Sequence, residues 1–197
     1  SKAARGRAVT IKTEVSRFNI HDELTAPEAT APLIKSIQTA GGAVSKFIGV
    51  LAESPAALRS YMRLRAELRK GELSQATRER IGLALSERRG DGYTLNQYAR
   101  TARAAGLGLD EVARAREFTS ADEKEAALLK LLEVTLDHDR LPPSHLVEEA
   151  REAGWTDSQI LEALAELGLA MFQSIVATAA ELPLESSDPA VLRSAAA

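Results

Sequence analysis

Residues 86–106 read SERRGDGYTLNQYARTARAAG, and this stretch decides how the chain folds. Gly90 is a left-handed stop for the helix that precedes it, because glycine reaches positive φ at no steric cost. Asp91 follows as an N-cap before Gly-Tyr-Thr, with its carboxylate set to accept from a backbone N–H in the next helix's first turn. That next helix runs from about Gly92 to Ala105 and ends at Gly106. The chain therefore leaves one helix, bends back through Gly90 and enters another.

Outward from this turn the helical period continues in both directions. Toward the N-terminus, Ser74 caps a helix with Ile81, Ala84 and Leu85 inward. Ser54-Pro55 supplies an N-cap and a first-turn proline for a helix whose inner face is Leu58, Tyr61, Met62, Leu64 and Leu68. A short helix carries Val44, Phe47, Ile48 and Leu51, and before it Leu33, Ile34 and Ile37 form a stripe stopped at Gly41-Gly42.

Toward the C-terminus, Ser120-x-x-Glu123 and Thr156-x-x-Gln159 both match the capping box. The first opens a helix with Leu128, Leu131, Leu132 and Thr135 inward. The second opens one of some 24 residues, ending at Glu181, with Ile160, Leu161, Leu164, Met171, Phe172 and Ile175 inward. Between them Pro142-Pro143 breaks the chain, and Leu146, Val147 and Ala150 mark a short helix ending at Gly154. ARAAGLGLDEV at 102–112 echoes AREAGWTDSQI at 150–160, which either shared capping grammar or duplication explains. Strand-like alternation is confined to Val9–Lys12, too short to build on. The expectation is an all-α, single-domain fold of about eight or nine helices: a basic, mobile arm over residues 1–18, a helical domain over 19–185 and a tail over 186–197.

Composition narrows the function. Aromatic residues are 4% and the formal net charge is −3, which gives no electrostatic case for nucleic acid or an anionic membrane. No apolar run approaches the roughly 18 residues of a membrane span, and the N-terminus lacks a signal peptide's apolar core, so a cytoplasmic location is expected. The absence of cysteine excludes disulfides, thiolate nucleophiles and sulfur-rich metal sites together. No glycine-rich nucleotide motif is present, and no cofactor is expected.

The turn at 86–106 resembles the active-site segment of the alkylhydroperoxidase D and carboxymuconolactone decarboxylase family. So do TAPEA at 25–29, GVLAESPAAL at 49–58, Arg78-Glu79, AGWT at 153–156 and LPLE at 182–185. The resemblance spans about residues 18–185 and implies an all-helical fold assembled as a homo-oligomer, a trimer or hexamer. Redox members carry Cys-x-x-Cys and then His at this turn. Here Asp91 and Thr94 hold the thiol positions and Tyr98 the imidazole position. Glu79, twelve residues before Asp91, matches the glutamate of the family's proton relay. Without sulfur, peroxide reduction by that route is excluded.

The candidate catalytic residues are therefore Glu79, Asp91, Thr94 and Tyr98; three have a plain alternative, Glu79 as a solvated glutamate, Asp91 as an N-cap and Tyr98 as a tyrosine filling core. The function expected is cofactor-free acid–base chemistry of decarboxylase, lyase or isomerase type on a small molecule. The alternative is a catalytically silent oligomeric binding or assembly protein that keeps the fold. His21, His138 and His145 lack helical metal-pair spacing, and no metal is expected. The basic stretch from Arg59 to Arg89 reads as a salt-bridged surface or subunit contact, with anionic-ligand binding the sharper alternative.

Overall fold

The fold is organised around α4, Gln75–Arg88, which packs against four other helices. The computed structural model describes residues 16–137, 141 and 143–185, and among these there are nine α-helices and no strand. Before α4 come α1 (Ala31–Thr39), α2 (Lys46–Leu51) and α3 (Pro55–Leu68). After it come α5 (Gly92–Ala104), α6 (Leu109–Arg116), α7 (Glu123–Asp137), α8 (Ser144–Glu152) and α9 (Asp157–Ala179).

The expected caps form at the start of most helices. Ser45, Ser54, Ser74 and Asp91 each accept a backbone N–H three residues on, and Thr156 with Gln159 completes a capping box. The other expected box is absent. Ser120 donates instead to Glu111, and Asp122 caps α7 by accepting from Lys124 N at 2.9 Å. The aspartate immediately before the helix competes successfully for the same donors, since its short carboxylate accepts without a second partner.

Gly41, Gly90, Gly106 and Gly154 all adopt positive φ. After each of the last three, the following residue's N–H returns to the carbonyl five residues back: Asp91 to Ser86, Leu107 to Ala102 and Trp155 to Ala150, all at 3.0 Å. This one turn chemistry at three helix ends accounts for the echo between 102–112 and 150–160 without duplication.

Burial follows the helical period, with three corrections. Leu64, Leu161 and Ile175 were expected inward, yet they are exposed at 42%, 65% and 50%. Each sits at the edge of an apolar stripe wider than the surface it covers, so period alone does not settle its direction. α4 is buried on nearly all sides through Ile81, Gly82, Leu83, Ala84, Leu85 and Ser86. One apolar cluster joins α4 to α7, α8 and α9, and another joins α2 and α3 to the far half of α9. α9, 23 residues long and holding an 18-residue window of mean hydropathy 1.6, has the length and composition of a membrane span although Glu162 and Glu166 interrupt its apolar run, and 44% of that window is buried within the bundle.

Residues 1–15 and 186–197 lie outside the described residues, as do His138, Asp139 and Pro142. The described end of the arm is tied to α9: Ser16 Oγ and Arg17 N both donate to Ala180 O, at 3.0 and 2.8 Å.

Candidate functional site

α4 and α5 form an antiparallel hairpin about Gly90, and its register sets the site. Glu79 on α4 faces Thr101 on α5, which donates to its carboxylate. One turn on, Gly82 faces Tyr98: a Cβ on residue 82 would lie 2.1 Å from Tyr98 Cε1. Asp91 sits at the bend itself. From Glu79 to the end of α4 the helix rises about 13 Å, so Glu79 stands well up the hairpin from Asp91 at its bend.

A cavity of about 740 Å³ opens beside this hairpin, walled by α3, α4, α5 and α9, with Phe47 and Ile48 of α2 at one end. Glu79, Thr94 and Tyr98 line it; Asp91 does not. Asp91 is 4% exposed, and its Oδ1 accepts from Thr94 N at 3.2 Å, the capping role. Thr94 is also buried, and its Oγ1 has no hydrogen-bond partner among the described residues. A buried hydroxyl left unpaired beside a cavity is a ready contact for a ligand oxygen.

Tyr98 is held from both sides. Its ring rests in the space that Gly82 leaves, and its hydroxyl donates to Gln173 Oε1 on α9. Gln173 Nε2 in turn donates to Tyr61 Oη on α3 at 3.0 Å. Tyr61 accepts in this chain, so its own hydroxyl hydrogen is left for the cavity. Burial, then Tyr61, Glu166 and Glu79, pushes the Tyr98 phenol well above its ordinary value, so it is a neutral hydrogen-bond donor and never a base.

Sequence reasoning missed the second carboxylate. Glu166 of α9 is 6% exposed and lines the same cavity as Glu79. Burial pushes its carboxyl up to about 7; Arg78, at 3.8 Å, pulls against this and Glu79 adds to it. Glu79 is also raised, by burial above all, with hydrogen bonds from Thr101 and Gln75 opposing. The signal was present in the sequence: Glu166 is an acid on the core face of α9, next to buried Ala163, Leu167 and Ala170. Tyr61 was legible only as an inward-facing residue and Arg65 and Arg69 only as part of the basic stretch, while Gln173 gave no signal, because α3 and α9 meet α5 only in the folded chain.

No three histidines, aspartates or glutamates cluster as metal ligands among the described residues. His21, instead, bonds through Nε2 to Glu53 Oε2 at 2.5 Å, away from the cavity.

The hairpin, its capped bend and the cavity beside it coincide with a known family's sequence profile, that of the carboxymuconolactone decarboxylase family, which matches residues 55–137. The family match is to that segment. It includes three of the cavity's helices, α3, α4 and α5, and all four candidate residues. The fold is shared with solved structures of low sequence identity. An uncharacterized peroxidase-related protein from Silicibacter sp. TM1040 superposes with a TM-score of 0.71 at 19% identity, over 87% of this chain and 94% of that one. A debrominase, solved as a cysteine-to-alanine variant in complex with 2,3,4-tribromopyrrole, gives 0.73 at 17% identity, over 91% and 97%. An uncharacterized peroxidase-related protein with an alkylhydroperoxidase core, from Ralstonia eutropha JMP134, gives 0.64 at 19%, over 87% and 93%. No curated protein matches the chain by sequence. Within the carboxymuconolactone decarboxylase segment, aspartate and threonine stand at the thiol positions of the redox members.

Proposed function

We propose that the cavity carries out cofactor-free acid–base chemistry, of decarboxylase, lyase or isomerase type, on a small molecule. The observation that carries this reading is Glu166, a buried carboxyl pushed up to about 7 and lining a cavity of ligand size. Near neutral pH such a group is divided between its two forms, so it can take a proton from a substrate and return it. Glu79, raised in the same direction, is the second proton carrier. Tyr61 acts as a neutral donor toward a substrate oxygen, Tyr98 holds it in place through Gln173, and Thr94 Oγ1 offers a second contact. Asp91 serves by holding the start of α5, which fixes Thr94 and Tyr98.

Proton transfer is read by incubating the protein in D₂O with a panel of β-keto acids and unsaturated lactones and following them by ¹H NMR. The reading expects deuterium incorporation or substrate loss above background, with a pH limb near 7 that disappears in Glu166→Gln. No exchange with any member of the panel, or exchange unchanged in Glu166→Gln, contradicts it.

A second reading, a catalytically silent assembly protein, draws on the outer face of α9. Leu161, Gly168 and Ile175 are seven residues apart and all exposed. Spacing of this kind suits a helix of a second copy. Chain mass in solution tests it: a monomer contradicts this reading and leaves the first intact.

A further inference from the structure

The charge lining the cavity is lopsided. Arg65, Arg69, Arg78 and Arg100 face two carboxylates, Glu79 and Glu166. Among the described residues, Arg78 alone of these arginines has a carboxylate within 4 Å, that of Glu166. Elsewhere in the same basic stretch Arg80 meets Glu111 and Glu125, Arg88 meets Glu133 and Asp137, and Arg89 donates to Ser174 Oγ. Arg65 and Arg69 stand one turn apart on α3, a like-charge i,i+4 pair that weakens a helix unless an anion lies between. Arg69 shows the effect, its guanidinium drawn below the usual value by burial first and by Arg65 second. Phe47, Ile48, Met62 and Leu169 give the same cavity an apolar part.

We infer that Arg65 and Arg69 form an oxyanion subsite, which selects small molecules bearing a carboxylate or phosphate at one end and an apolar body at the other. Guanidinium pairs suit this task because each presents a planar fork of donors that matches the oxygens of either group. The apolar body then extends toward Phe47 and Met62. Glu79 and Glu166 remain free of the anion's charge only when protonated, so binding and protonation of these acids reinforce each other. The inference shares its cavity with the proposed acid–base function but needs no turnover.

Three probes of one shape separate the charges: benzoate, phenyl phosphate and the neutral benzamide, titrated calorimetrically into the full chain. At least one anion is expected to bind about tenfold or more tightly than benzamide. Which anion leads distinguishes a carboxylate source from a phosphate one. The preference is expected to vanish in the double variant Arg65→Gln with Arg69→Gln, and to survive in Arg63→Gln, an exposed position on the same helix outside the cavity lining. It also survives in Glu166→Gln, which removes the proposed proton carrier, so failure of the acid–base reading is told apart from failure here. Equal affinity for benzamide, absence of binding by both anions, or an anion preference unchanged in a double variant of normal helicity overturns the inference.

Discussion

The ring of Tyr98 occupies the space that a side chain on Gly82 would fill, with Cε1 2.1 Å from the position of a Cβ. Glycine inside a helix costs about 1 kcal/mol relative to alanine, so Gly82→Ala ought to stabilise α4 on propensity alone. Here the steric term is larger: moving a buried ring typically costs roughly 1–3 kcal/mol, and the bond to Gln173 breaks with it. Gly82→Ala is therefore expected to be net destabilising in urea denaturation. A gain in stability would show that Tyr98 can leave its place freely.

Glu166 makes stability depend on pH with a definite sign. Its carboxyl is raised from 4.5 to about 7 in the folded protein, so its contribution is fully present below about 4.5 and lost as pH rises through 7. Glu166→Gln removes that dependence. The variant should match the wild type near pH 4.5 and exceed it at pH 8, by on the order of 2 kcal/mol. Thermal melts across that window check it, and a variant less stable at pH 8 would mean the Arg78 contact outweighs burial.

Asp91 is expected to act as a cap. Asp91→Ala should cost about 1 kcal/mol, while Asp91→Asn, which still offers an oxygen to Thr94 N, should lose much less. If Asp91→Asn keeps stability but abolishes the activity found in the D₂O assay, the carboxylate itself has a chemical role.

Peroxide offers a negative control with a physical basis. Reduction by the redox members' route needs sulfur to pass through a sulfenic acid, and the chain has no cysteine. With hydrogen peroxide and a dithiol reductant, consumption should equal the protein-free background.

Most of the fold was legible because helix ends are written locally. Ser54-Pro55, Ser74, Thr156 with Gln159, and the glycines at 41, 90, 106 and 154 each mark a boundary through a bond to a near neighbour. The site was legible only in part, since it depends on bonds between distant residues. Tyr98 and Gln173 are 75 residues apart, and Gln173 and Tyr61 are 112 apart. Glu79 was found from the family pattern, yet its distance from Asp91 follows from hairpin register, which a spacing of twelve does not give. Leu64, Leu161 and Ile175 failed for the complementary reason: periodicity marks a stripe but not its edges.

The central claim is that Glu166, buried beside a ligand-sized cavity, exchanges a proton near neutral pH. Carboxyl ¹³C NMR on selectively labelled glutamate, with Glu166→Gln to assign the resonance, measures this without any substrate. The account predicts a midpoint near 7 for Glu166, well above the exposed glutamates. A midpoint near 4.5 would contradict it and remove the proton carrier on which the proposed chemistry rests.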